Sequence, residues 1–235
     1  EGNSHQGVKG SRVVWLGDAD RVATTGFSKT SDRQVFLWDT TNLTEPKKTV
    51  NLDTSSGVVM PFFDNDTKML YLAGKGDGNI RYYEFENDDL FYLSEYKSTE
   101  PQRGMGWLPK RACNVADCEV ARLYKVTNTY IEPISFTVPR KVSEIPLYVD
   151  CASDAFQADI YPHCPGDKPS LTAEEYFTGK IADPLLIDLA KGFVPSKPKE
   201  FVAPTSSAPE GAEALAAPKT EKEVGLFLGL CEGWG

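Results

Sequence analysis

The sequence predicts an all-β fold of repeated antiparallel sheets, and two observations carry that prediction. First, Asp32-Arg33-Gln34-Val35-Phe36-Leu37-Trp38-Asp39 reappears as Asp77-Gly78-Asn79-Ile80-Arg81-Tyr82-Tyr83-Glu84, about 45 residues later. In each copy an Asp in a tight turn leads into an alternating strand that ends on an aromatic followed by an acid. Second, strand-length apolar runs recur between clusters of turn-forming residues, as an all-β array requires. A period of ~40–45 residues with a Trp-Asp ending is the signature of a WD-repeat β-propeller blade.

The first blade is read over residues 1–52, opening with Val14-Trp15-Leu16 and continuing through residues 22–25. The second covers 53–100. In it Pro61-Phe62-Phe63 aligns with Val14-Trp15-Leu16, and residues 69–72 with 22–25, an offset of 47. A weaker, divergent third blade covers 101–150, beginning at Met105-Gly106-Trp107-Leu108 and continuing through 119–126 and 130–138. Trp15, Phe62 and Trp107 recur at one position and are expected to pack between blades. Trp38 and Tyr83 are read as structural, with Asp32 and Asp77 tying the hairpin turns. The clusters Asp18-Ala19-Asp20, Asp64-Asn65-Asp66 and Asn87-Asp88-Asp89 fall between strands, where Asx side chains bond nearby backbone N–H groups. The glycine-rich run 74–79 lacks the Gly-Lys-Ser/Thr ending of a phosphate loop and precedes a strand, so an Asp-Gly hairpin is the better account.

From about residue 139 the pattern changes. Pro139, Pro146, Pro162, Pro165 and Pro169 rule out continuous central strands. Thr172 is an N-cap, Glu175 closes a capping box, and Leu171 is placed to staple to Tyr176. Residues 151–195 therefore read as an extension strapped onto the propeller. A Pro/Ala/Ser/Glu-rich tail follows through 223 and is expected to be disordered. Residues 224–235 are apolar and glycine-rich, with neither heptad nor cap. They read as a docking peptide or, better, as sequence foreign to the fold, such as a read-through intron or a shifted frame.

Bulk properties narrow the function classes. The net charge is −9 with no basic block, which argues against a nucleic-acid groove. No run approaches the ~18 apolar residues of a membrane span. The chain opens on Glu1 with neither an initiating Met nor a signal peptide's apolar centre, and so reads as cut at its front. Five cysteines, an odd number without a secretion signal, read as reduced intracellular thiols. His163-Cys164 near Cys151 is poor zinc spacing. The two histidines, His5 and His163, lie beside no nucleophile motif, so neither catalysis nor a cofactor is expected.

The residues also carry a family resemblance. Segment 10–17, Thr25-Gly26-Phe27-Ser28, Arg33-Gln34 and Leu37-Trp38-Asp39 resemble the fifth blade of coronins, the actin-binding WD-repeat proteins. Phe156-Gln157-Ala158-Asp159-Ile160-Tyr161-Pro162, then Leu171-Thr172-Ala173-Glu174-Glu175 and Gly179-Lys180, resemble the extension that follows the last coronin blade. The similarity spans roughly residues 5–200 in order. It implies the last ~3 of seven blades plus that extension, without the early blades and the oligomerising coiled coil. It also implies a cytoplasmic protein of the actin cytoskeleton, at cortex or patches. Its implied partners are actin filaments and the branched-actin nucleating complex. Lys29, Arg33, Arg103, Lys110 and Arg111, read as exposed loop residues, are the candidate contacts with acidic actin, by rim charges that steer association. The alternative is a generic WD-repeat scaffold for other proteins. Blades without neighbours leave apolar faces and sheet edges open, so the chain is expected to associate or to be poorly packed when expressed alone.

Overall fold

The structure, a computed structural model, describes residues 1–138 and 156–191. Residues Pro139, Pro146 and Cys151, the tail from 196 and the apolar stretch 224–235 lie outside the described residues. Three antiparallel meanders follow one another along the chain. The first contains β1 (Arg12–Trp15), β2 (Arg21–Phe27), β3 (Arg33–Asp39) and β4 (Lys48–Asp53). The second contains β5 (Val59–Asp64), β6 (Met69–Gly74), β7 (Ile80–Glu86) and β8 (Asp89–Tyr96). The third has three strands, β9 (Gly104–Trp107), β10 (Glu119–Val126) and β11 (Ile131–Thr137). The fold is that of a partial propeller, nearly all β.

Successive residues of a strand point to opposite faces, and the second sheet has apolar residues on both. Leu70, Leu72, Tyr83 and Phe85 meet Leu16, Ala23, Val35 and Leu37 of the first sheet. Tyr71, Ala73 and Ile80 meet Ala121, Leu123 and Ile134 of the third. Each fully buried Leu or Ile is worth about 1.5–3 kcal/mol in transfer free energy, so the cores between sheets, not the individual sheets, hold the array together.

The register corrects one sequence expectation. Trp15 pairs with Val22, Phe63 with Leu70, and Trp107 with Leu123. Trp15, Phe63 and Trp107 are therefore the equivalent residues, and Phe62 is one position away. A one-residue slip moves a side chain to the other face. Phe62 accordingly packs forward, stacked on Trp107 with ring centroids 5.9 Å apart. Trp15 lies on the face of the first sheet turned away from the second and is 53% exposed, so it is not core between blades.

Trp38 and Tyr83 are buried. Trp38 Nε1 donates to Thr24 Oγ1 at 2.8 Å, and the same hydroxyl lies 3.0 Å from His5 Nε2. The His5 ring stacks on Phe36, and burial lowers its pKa. Asp32 ties its turn as expected, accepting from the hydroxyls of Ser28 and Thr30. The Asp77 carboxylate instead leaves its own hairpin and reaches Arg33.

Among the described residues the extension meets the propeller through side chains rather than through sheet pairing. Tyr161 is buried, and its hydroxyl donates to the Glu119 carbonyl at 2.8 Å. A two-residue ribbon, β12 (Cys164–Pro165) with β13 (Leu186–Ile187), and the short helix α1 (Ala173–Phe177) complete it. The capping box is formed in full: Glu175 N–H donates to Thr172 Oγ1, and Thr172 N–H to the Glu175 carboxylate. Tyr176 is exposed and packs on Phe177.

Candidate interaction surface

Each meander reverses direction at every turn, so its loops sort to two ends of the sheets. At one rim lie the turns β2–β3, β6–β7 and β10–β11 with the connections between sheets. Backbone bonds there tie the second sheet to the lead-in of the third: Gly76 N–H donates to Gln102 O, and Gln102 N–H to Asp77 O. Gln102, fully buried, adds side-chain bonds to the carbonyls of Gly74 and Asn79. The opposite rim carries the β1–β2, β3–β4, β5–β6, β7–β8 and β9–β10 loops.

The five candidate basic residues do not form one surface. Lys29, in the β2–β3 turn, is exposed on the first rim. Arg103 is exposed on the same rim, where its Nε donates to the Asn128 side-chain oxygen at 2.7 Å. Arg111 is exposed on the opposite rim, in the 3₁₀ turn Lys110–Ala112.

Lys110 and Arg33 are not the exposed loop residues that the sequence suggested. Lys110 Nζ is enclosed between the Asp64 carboxylate at 2.7 Å and the Val120 carbonyl at 2.6 Å, with Asp66 at 3.6 Å. Arg33 is the first residue of β3 and only 2% exposed. Its Nε and an Nη each reach an Asp53 oxygen at 2.6 Å, and an Nη reaches Asp77 at 2.7 Å. Arg81 adds a 2.7 Å contact to Asp53. Burial opposes the Arg33 charge, but the bonds from Asp53 and Asp77 outweigh it and raise the pKa. Burial likewise pushes Asp53 up, and the hydrogen bond from Arg33 reverses this and holds the carboxyl well below its ordinary range. Charged hydrogen bonds in a bidentate fork are the arrangement that makes such burial tolerable.

A second ionic group spans the first and second sheets at the opposite rim. Arg21 reaches Asp88 at 2.7 Å, Lys47 reaches Asp88 at 2.8 Å, and Lys48 reaches Asp89 at 2.8 Å. The hydrogen bond from Arg21, then that from Lys47, holds the Asp88 pKa down to about 2. Asn87 and Asp88 have φ of 52° and 60°, the left-handed values of a tight hairpin. The Asn87-Asp88-Asp89 cluster thus makes its turn and also ties two sheets together. Sequence reading missed the second role because the partners lie 41 and 67 residues away.

Among the described residues no helix is long and apolar enough to cross a membrane, and no group of three or more His, Cys, Asp or Glu is placed to hold a metal ion. What these sheets expose is two charged rims and the outer edges between them.

Comparison with known proteins agrees with this architecture. A family model for a type of WD40 repeat matches residues 131–184, which include β11 and much of the extension. The chain is 59% identical over 191 residues to a coronin-like protein of Schizosaccharomyces pombe, covering 80% of this chain and 30% of that protein. It is 48% identical over 233 residues to a coronin-like protein of Saccharomyces cerevisiae, covering 95% and 34%. Against coronin-A of Dictyostelium discoideum the identity is 47% over 222 residues, covering 94% and 46%. The crystal structure of the WD40 domain of Toxoplasma gondii coronin superposes with a TM-score of 0.67 at 36% identity, over 77% of this chain and 45% of that one. The chain thus spans between 30% and 46% of the length of these curated relatives. With 47–59% identity to coronins over 80–95% of its length, the chain belongs to the coronin family of WD-repeat proteins.

Proposed function

We propose that the protein binds actin filaments, organises them, and modulates branched-filament nucleation in the cytoplasmic actin cytoskeleton, at cortex or patches. The observation that supports this most directly is the 47–59% identity to coronins over 80–95% of the chain. The remaining candidates for contact with acidic actin are Lys29 and Arg103 on one rim or Arg111 on the other. Arg33 and Lys110 are withdrawn from that list, because their charges are spent on carboxylates inside the fold.

The test is co-sedimentation of the full-length protein with actin filaments. A pair of reversals on one rim, Lys29→Glu with Arg103→Glu, is compared with Arg111→Glu on the other. Exposed ion pairs contribute about 0.2–1 kcal/mol each, so every lost contact weakens binding about 1.5- to 5-fold. One rim is expected to respond and the other not, because a filament lying on one rim leaves the other free. Unchanged pelleting of both variants removes these three residues. No pelleting of the unaltered protein favours the alternative, a WD-repeat scaffold for other proteins.

A further inference from the structure

Among the described residues the strand β8 is the outermost of the second sheet, hydrogen-bonded to β7 and to no other strand. Its consecutive residues Phe91, Tyr92 and Leu93 are 48%, 55% and 45% exposed. The fold does not require apolar residues there. The corresponding outermost strand of the first sheet, β4, carries the polar residues Thr49 and Asn51 at its exposed positions. Three large exposed apolar side chains in a row on an outer edge mark an interaction site rather than a packing need.

The edge is built to receive side chains rather than another strand. The β7–β8 register shifts between Tyr82 and Tyr83, which pair with Ser94 and Tyr92, so Leu93 is left as the extra residue of a bulge. A bulge on an edge strand interrupts the run of free N–H and C=O groups that strand addition would use. Tyr92 is held by its edge-to-face contact with Tyr83 at 5.5 Å, which presents an ordered rather than a floppy aromatic surface.

The charge around the patch selects its occupant. Glu84 lies directly across from Phe91 in the register, and Glu86 lies across from Asp89. Both glutamates are exposed. Asp88 and Asp89 are already engaged by Arg21, Lys47 and Lys48. The free charge beside Phe91 and Leu93 is therefore negative.

From this we infer that the β8 edge docks a partner polypeptide segment that presents an apolar anchor flanked by Lys or Arg. Phe91 and Leu93 contact the anchor, and Glu84 and Glu86 contact the flanking cations. This site is separate from the basic rims proposed for actin, and its failure leaves that proposal standing.

The experiment uses the full chain and two fluorescent probes, Lys-Lys-Leu-Phe-Leu-Lys-Lys and its counterpart with Glu for Lys, followed by anisotropy. The basic probe binds and weakens with added salt, and the acidic one does not bind. Phe91→Thr with Leu93→Asn, which copies the polarity of β4, weakens the basic probe about tenfold or more. Glu84→Gln with Glu86→Gln weakens it about 2- to 10-fold. Both variants change exposed side chains, and a preserved melting temperature verifies their fold. Should either fail to fold, a photo-crosslinking version of the probe on the unaltered chain decides: crosslinks within 84–93 support the site, and crosslinks elsewhere overturn it. Equal binding of both probes, or undiminished binding to the folded Phe91/Leu93 variant, overturns it as well. Self-association that the Phe91/Leu93 variant abolishes also overturns it, by assigning the edge to a second copy of this chain.

Discussion

Arg33 shows how a residue's neighbours in space override its neighbours in sequence. A basic residue directly after a turn Asp reads as part of an exposed loop, yet Arg33 begins a strand and is enclosed by Asp53, Asp77 and the Gly57 carbonyl. Nothing local announces this, because the carboxylates come from the end of β4 and from the next sheet. Removing one partner of a buried ion pair leaves the other charges uncompensated. Arg33→Leu is therefore expected to destabilise the chain by about 3 kcal/mol, measured by urea unfolding, and a loss below about 1 kcal/mol refutes the assignment. The pH dependence follows from the same cluster. Asp53 has a folded pKa below its ordinary value, so its contribution is present above the ordinary carboxylate range. It is lost as pH falls through the depressed folded value. Arg33→Leu should flatten that acid limb.

At the scale of elements, what was legible was what is local. The two matching repeats located β3 and β7, and Thr172 with Glu175 located the start of α1, because alternation and capping act within a few residues. The offset of the first two strands was less legible. Aligning Trp15 with Phe62 satisfies aromatic character, but the paired register gives Phe63, and only pairing with β2 and β6 can tell these apart. The division of the basic residues between opposite rims was equally hidden, since it depends on which turn faces which end. Among the described residues, Tyr161 is one of the side chains by which the extension reaches back to the last sheet. Tyr161→Ala is expected to speed amide exchange across residues 156–191 while leaving β5–β7 protected. Exchange that accelerates equally in both regions would show the extension and the sheets opening as one unit.

For the molecule as a whole, large apolar residues stay exposed on the faces of the first and third sheets that are turned away from the second. Val13 and Trp15 are exposed on the first; Tyr124, Val126 and Ile131 are exposed on the third. Among the described residues the third sheet also has three strands where the others have four, with β11 at its edge. Repeat proteins draw stability from interfaces with neighbours, and open edges invite pairing between molecules. Sedimentation velocity of the chain on its own should show association that grows with concentration. A monodisperse monomer with a sharp, reversible melt contradicts that expectation.

The interface between the first two sheets is fastened at both rims, but by unlike fasteners. Arg33 is shut away from solvent and its carboxylate partners are largely covered, whereas Lys47, Lys48, Asp88 and Asp89 are more open to it. Dissolved ions screen exposed charges over about 8–10 Å at physiological ionic strength and buried ones far less. Ionic strength therefore gives the joint a direction: rising salt weakens the fastening at the Asp88 rim and spares the one at Arg33, so the Asp88 rim is where the contact is expected to open first.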